Sequence, residues 1–181
     1  MLRSDIGMEE VITIIETNNC FSDGIQVVTA CTFGNNALIY RDYGKTAVTI
    51  SKRDGKAIRL SLKPSFQESR ADVYPEAMEL FEKLVVQRQE GSPEDYEKMN
   101  HLWSEKAFKE LAVPIEEMVK IENLNIDIPE FAPIFDSVTC ESCGENVMQT
   151  RIIEKAGQSL CIPCANAGYL ELNGRGMLSK E

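Results

Sequence analysis

Basic residues are scarce in this 181-residue chain: 19 Lys and Arg stand against 29 Asp and Glu, a net charge of −10 at neutral pH. A protein that neutralises phosphates needs a basic face, so direct nucleic-acid binding by the whole chain is disfavoured. Long apolar runs are also missing. None approaches the roughly 20 residues of a membrane-spanning helix, and the opening stretch MLRSDIGMEE has no apolar signal core. The expectation is a cytoplasmic chain without a membrane partner, whose cysteines stay reduced and serve as ligands or nucleophiles rather than disulfides. Histidine occurs once, at His101. It falls midway along an acidic stretch with helical spacing and is expected on the surface. Internal repeats and low-complexity segments are absent too.

What remains is globular: 43% of the residues are hydrophobic and 27% charged. Three zones follow one another. In the first, VITIIE at 11–16 is an apolar, β-branched run and is expected to be a buried strand. Ser22 or Asp23 can cap a helix from about Gly24 to Thr29, with Ile25, Val27 and Val28 packing inward. Residues 37–40, 47–51 and 57–62 are strand-like, parted by Tyr43-Gly44-Lys45 and by Asp54-Gly55-Lys56, the second a hairpin turn. This predicts an α+β core with a largely antiparallel sheet. A helical extension follows over about 65–125. Met78, Phe81, Leu84 and Val85 keep helical spacing, and Gly91 is expected to end their helix. Ser92-Pro93-Glu94-Asp95 has the pattern of an N-cap, a first-turn proline and a capping-box acid. Met99, Trp103 and Ala107 continue the apolar face, and a short helix starts after Pro114. Residues 65–122 hold 14 acids and 7 bases. That surplus is either a solvated face or a surface for a basic partner. Residues 125–137, with two prolines, form an extended linker. The expected division is a core domain over 1–135 and a small domain over 136–181.

The small domain carries Cys140, Cys143, Cys161 and Cys164 as two C-x2-C pairs separated by seventeen residues. Two intervening residues let one tight turn present both sulfurs to one ion, and Gly144 lets the backbone turn beneath it. The stretch between the pairs can form a hairpin turning at Lys155–Gly157. Four soft thiolates suit a closed tetrahedral Zn2+ site, one per chain, which would supply much of the folding energy of so small a unit. Two redox pairs are the competing reading. With four bases and five acids over 137–181, the finger fits packing or protein docking better than DNA reading.

CESCGE, Arg151-Ile152 and CIPCA together resemble the DksA/TraR-type finger. That resemblance implies a treble clef with its last two ligands at the start of a helix at about Ala165.

Cys20 and Cys31 belong to the first zone. Cys20 lies just before the helix that Ser22 or Asp23 would cap, where the helix dipole favours a thiolate, and Asp23 can place a carboxylate on the same side. Cys31 comes eleven residues later. At ~1.5 Å per residue a straight helix sets the two roughly 12–16 Å apart, too far to share one metal within a chain. Cys31 is expected to be a small buried side chain.

The stretch N-x-C-x-x-D-x-I-Q-x-x-T-x-C-T-x-G followed by L-I-x-R-D-Y-G-K resembles the core of the FmdE family, proteins like the E-subunit of formylmethanofuran dehydrogenase. The likeness covers about residues 10–65, and with the acidic helices and the finger it spans most of the chain. It implies an α+β core, a cytoplasmic archaeal or bacterial protein related to methanogenesis, and frequent dimers. The position of Cys20 is implied to be a site residue with Asp23; Gln26 is weaker, Tyr43 and Lys45 are turn residues, and Cys31 could join a site made across a dimer as part of a second metal site with Cys20. The family's upstream H-G-H-x-C-P-G motif, the source of partners for Cys20, does not occur in these 181 residues; the expectation is a truncated start or a member without that site. Three functions follow: an accessory or partner-binding module of a metal-dependent oxidoreductase system, a stand-alone metal- or thiolate-dependent enzyme using Cys20, or a DksA-like transcription regulator. The first is preferred, with protein contacts through the finger or the acidic helices.

Overall fold

The computed structural model describes residues 10–181, and the side chains of residues 70–73 are outside that description. Strand β1 (Val11–Ile15) is buried at every position. A strand with a neighbour on each side and covered faces has no reason to alternate, which is why VITII is apolar or β-branched throughout. It leads into α1 (Cys20–Thr29), then β2 (Leu38–Tyr40), β3 (Ala47–Lys52) and β4 (Lys56–Leu62). β2 runs parallel to β1, with Ile14 opposite Ile39, and β3 runs antiparallel to it, with Thr13 opposite Ile50. The parallel pair needs the crossover that α1 supplies. The turn before β4 holds Gly55 at φ +81°, a conformation glycine adopts without strain.

The start of α1 differs from expectation. Asn19 is its cap, with its Oδ1 accepting from the Phe21 N–H at 3.0 Å, so Cys20 is the first helical residue. Ser22 is buried inside the helix and donates to the Thr17 carbonyl at 2.5 Å. Val27 and Val28 do not pack inward; they are 84% and 71% exposed. The reason is angular. At about 100° per residue, Ser22, Ile25, Gln26 and Thr29 share one face, and Val27 and Val28 fall on the other side. The inner face is polar at Ser22 and Thr29, whose hydroxyls bond to the Thr17 and Ile25 carbonyls. The fold thus hides hydroxyls that satisfy themselves and leaves two valines in solvent.

The chain continues through α2 (Pro64–Val73), α3 (Pro75–Phe81), α4 (Pro93–Leu111) and α5 (Ile115–Met118). Each of α2, α3 and α4 has a proline in its first turn, where the missing N–H would be unpaired anyway. Pro75 also explains the break after α2: Tyr74 before it takes φ −132° and ψ 56°. α3 runs on as a π-helical turn over Glu82–Val86. The helix ends there, not at Gly91, with Arg88 at φ +53°. Gly91 serves a different purpose. A Cβ on it would press on the end of the buried Leu84 side chain, so a larger residue there would have to displace that leucine. At α4 the capping box is complete, Ser92 accepting from the Asp95 N–H while Asp95 accepts from the Ser92 N–H. Trp103 meets Phe81 edge to face at 5.4 Å. Ala107, expected on the inner face, is exposed, and Lys106 is buried in its place.

The helical zone stops at Met118; Val119–Asn125 forms strand β5 instead of helix. The strand order in the five-stranded sheet is β2-β1-β3-β4-β5. Arg59 on β4 pairs with Glu122 on β5 at 2.9 Å. Burial alternates along its second half, Glu122 and Leu124 half-buried and Ile121 and Asn123 exposed, as in a strand with one open face.

Residues 126–136 run without regular structure. The stretch is tied down by the Ile126 N–H to the Gly55 carbonyl and by Arg53 donating to the Pro129 carbonyl at 2.9 Å while its guanidinium stacks on the Phe131 ring at 3.6 Å. Four short hairpin strands follow, β6 (Ser137–Thr139) with β7 (Asn146–Met148) and β8 (Ile152–Lys155) with β9 (Gln158–Cys161), then α6 (Ile162–Ala165) and a last hairpin of β10 (Tyr169–Asn173) and β11 (Gly176–Lys180). The chain divides into two compact units, Met1–Ala57 with Leu124–Glu181, and Ile58–Asn123. Among the described residues no helix is long and apolar enough to cross a membrane.

Candidate metal centre

The first hairpin of the finger delivers one pair of thiols, and the second hairpin with the helix that follows it delivers the other. Cys140 leaves β6 and Cys143 sits in the turn before β7, closed by the Gly144 N–H to the Cys140 carbonyl at 2.9 Å with Gly144 at φ +76°. Cys161 ends β9 and is itself the N-cap of α6, its sulfur accepting from the Cys164 N–H at 3.5 Å. α6 therefore begins at Ile162 and is already over at Ala165, where the sequence placed its start. Lys155 donates to the Ala165 carbonyl at 2.7 Å and closes that end. The turn joining β8 and β9 holds Ala156 and Gly157 at φ +53° and +78°, the hand that twisted hairpins require.

This folding brings Cys140, Cys143, Cys161 and Cys164 together, with one sulfur from each within 4.8 Å of the others. Cys143 Sγ and Cys161 Sγ are 3.9 Å apart. Four sulfurs at ~2.3 Å from one tetrahedral zinc would stand about 3.8 Å apart. The donor set, spacing and closure all fit that ion.

Electrostatics say the same. Backbone N–H groups of Cys143 and Cys161 point at Cys140 and lower its pKa to about 6. For Cys143 the Glu145 N–H pulls downward, but the neighbouring thiols and burial outweigh it and push the group up to about 12. Cys161 is likewise raised: the Cys164 N–H stabilises its thiolate, and the adjoining thiols and burial more than cancel that. Four like charges this close cannot all form unless a cation joins them. Around the sulfurs the core is thin: Leu160 and Ala165 are buried with Cys140 and Cys161, and Val147, Ile153 and Ala167 pack partly against them.

The remaining site candidates are not brought together. Cys20 is exposed at the start of α1, and Asp23 and Gln26 lie on that helix. Cys31 lies beyond its other end, 1% exposed, its thiol donating to the Val11 carbonyl at 3.4 Å. Tyr43 and Lys45 occupy an exposed loop, and His101 is an exposed partner of Glu105 at 3.4 Å. The four finger thiols form the one His/Cys/Asp/Glu group among the described residues able to hold a metal.

Asp42 is the residue sequence reasoning passed over. Its carboxylate accepts from the Met177 N–H at 2.8 Å and from the Tyr40 hydroxyl at 2.6 Å. It thereby fastens the β10–β11 hairpin to the loop after β2, and Asn18 donates to the Asn173 carbonyl beside it. Its trace in the sequence is the acid of the L-I-x-R-D-Y-G-K stretch, just before the Tyr-Gly turn.

A mixed sheet with a crossover helix, joined to a four-thiol treble clef, defines a two-part class: an α+β core carrying a zinc-finger appendix. The chain belongs to the FmdE family, described as "Molybdenum formylmethanofuran dehydrogenase operon", which it matches over residues 1–120; residues 133–167 match the prokaryotic dksA/traR C4-type zinc finger. A protein of Archaeoglobus fulgidus named "Probable S-adenosyl-L-methionine-binding protein" is 43% identical over 171 residues, 94% of this chain but 44% of its own length. The chain thus spans less than half of that relative. A crystal structure of a tungsten formylmethanofuran dehydrogenase FmdE-like protein from Syntrophus aciditrophicus shares the fold, with a TM-score of 0.51 at 24% identity over 91% of this chain and 74% of that one.

Proposed function

We propose that this chain is a zinc-containing accessory protein that docks a protein partner in a metal-dependent oxidoreductase system. The observation that carries the reading is the closed cluster of Cys140, Cys143, Cys161 and Cys164. Four thiolates complete a tetrahedron, so the ion holds the finger in shape and offers substrate no open position. The oxidoreductase setting is supported by the description of the family. A net charge of −10 favours a protein partner over nucleic acid or an anionic membrane surface, and a cytoplasmic setting agrees with six unpaired cysteines. The chain acts as a homodimer in this reading, with the exposed Val27 and Val28 of α1 as a face to be covered. A monomeric mass by light scattering at micromolar concentration would refute that part.

Elemental analysis tests the centre. Wild type and Cys20→Ser should each hold one zinc per chain, and Cys140→Ser should hold none. A second metal that disappears in Cys20→Ser would instead favour a catalytic site at Cys20.

The Archaeoglobus relative supports a second reading, a nucleoside–sulfonium ligand on the shared part of the chain. Isothermal titration with S-adenosylmethionine decides it: micromolar binding sustains it, and no heat at millimolar ligand removes it.

A further inference from the structure

The helical unit carries an apolar groove of about 510 Å³ lined by Ala107, Leu111, Val113, Ile115 and Met118, with Glu110 at its edge. Beside it the outward stripe of α4 is apolar too: Phe108 is 74% and Leu111 80% exposed. These positions follow from the helix register. The inward face of α4 is taken by Met99, Trp103 and Lys106, so residues 107, 108 and 111 are turned outward together. Such a strip costs solubility unless something covers it.

The chemistry of the lining narrows the occupant. A small polar ligand would find a single polar group, Glu110, and few hydrogen-bond partners. Aliphatic side chains spaced along a helix match a groove of this kind. Charge supplies the rest. Residues 65–122 hold 14 acids and 7 bases. Four of those bases pair with four of the acids within the unit, as Lys83–Asp95, Lys98–Glu76, Lys106–Glu110 and Lys120–Glu122, so the excess of acids lies among the other residues. Glu116 and Glu117 follow Ile115 directly in the first turn of α5 and are exposed. A second copy of the same acidic surface would be repelled.

We infer that the groove between the end of α4 and α5 receives a basic amphipathic helix of a partner protein, its apolar face against Leu111, Ile115 and Met118 and its lysines or arginines over Glu116 and Glu117. This rests on the partner-binding reading and adds to it the place and the chemistry of the contact.

A fluorescein-labelled Leu/Lys amphipathic peptide of about five helical turns, followed by anisotropy against the zinc-loaded full chain, tests it. A peptide of identical composition with its leucines spread around the helix is the comparison. The amphipathic peptide should bind in the micromolar range and the scrambled one about tenfold or more weaker. Leu111→Asp should weaken binding by at least roughly tenfold; the residue is exposed, so folding is spared. Glu116→Lys combined with Glu117→Lys should weaken it comparably and reduce its salt dependence, and Val27→Asp on the other unit should leave it unchanged. Equal binding of both peptides, an equal loss in Val27→Asp, or no binding at millimolar peptide overturns the inference. So does a dimer that Leu111→Asp splits, because the groove would then be a contact between copies. Cys140→Ser separates the two readings: peptide binding retained in a zinc-free variant supports the groove independently of the finger, while a zinc-free wild type counts against the finger alone.

Discussion

Lys106 and Glu110 offer the sharpest test of how the helical unit is held together. Lys106 is 1% exposed and its ammonium lies 2.5 Å from Glu110 Oε1, one turn further along α4. Beyond that carboxylate it meets the faces of Trp103 at 4.8 Å and Tyr74 at 5.7 Å. Removing one partner of a buried pair costs about 3–5 kcal/mol, because the other charge stays behind in a poor solvent. Two ring faces recover part of this, at about 0.5–2 kcal/mol each, and Glu110 is 18% exposed, so water can enter where it stood. Glu110→Ala should therefore cost about 3 kcal/mol. Lys106→Met should cost less, about 1 kcal/mol: the stem still packs and the orphaned carboxylate can turn toward water. Lys106→Met combined with Glu110→Ala should cost about 2 kcal/mol rather than the additive total of about 4, a coupling energy of about 2 kcal/mol in the double-mutant cycle. Urea unfolding followed by tryptophan fluorescence is the assay, since Trp103 is the chain's single tryptophan and touches the ammonium directly. A Glu110→Ala loss below about 1 kcal/mol, or single losses that simply add, would show that the pair is not what stabilises α4.

Four further outcomes can be checked. Zinc chelation should abolish the finger's protection in hydrogen exchange while β1 and β3 keep theirs, because Leu160 and Ala165 bury only about 3 kcal/mol of apolar surface against the roughly 10–16 kcal/mol of a structural zinc; a finger still protected without metal refutes this. Gly176→Ala should free the C-terminal hairpin, since its Cβ would lie 2.5 Å from Asp42 Oδ2 at φ +97°, and limited proteolysis between 168 and 181 reports it. The same contact should weaken at both ends of the pH scale. The Met177 N–H and the Tyr40 hydroxyl lower the Asp42 pKa, so its contribution is complete above the ordinary carboxylate value of about 4 and is lost as pH falls below it. Partial burial and the adjoining carboxylate raise Tyr40 to about 12, so its share is lost between about pH 10 and 12; amide protection of Met177 across pH follows both. Ser92→Ala should destabilise the helical unit by about 1 kcal/mol through loss of the capping box, measured by the same urea unfolding.

The elements legible in the sequence were those whose cause is local. The four thiols, the Asp54-Gly55 hairpin, the Ser92 cap and the buried VITII strand each follow from a few adjacent residues. Misplaced elements depended on distant partners. Val27 and Val28 look like core residues until Ser22 and Thr29 fix the helix's rotation, and these are anchored by backbone carbonyls rather than by apolar contact. The segment 119–125 keeps enough apolar residues to pass for helix, but it is a strand partnered through the Arg59–Glu122 pair, 63 residues apart. Lys106 carries no sign of burial in its neighbours; the ring faces that shelter it come from Tyr74 and Trp103. Cys20 and Cys31 share a motif, and the helix that keeps them apart within one chain was itself legible in the sequence.

The fastening of the last hairpin bears on how the finger gains and loses its ion. The chain enters the finger from a stretch pinned at Gly55 and Arg53, and leaves it through a hairpin pinned at Asp42 and Asn18. None of these contacts uses a thiol. With metal gone, the cysteines would lie on a loop tethered at both ends rather than on a dangling tail. Closing such a loop costs entropy that grows only slowly with its length, about 0.6 kcal/mol per doubling, and here that entropy is spent before the ion arrives. Reloading is then a local search by four sulfurs already confined near one another, so the finger can exchange its zinc without the chain having to find its fold again.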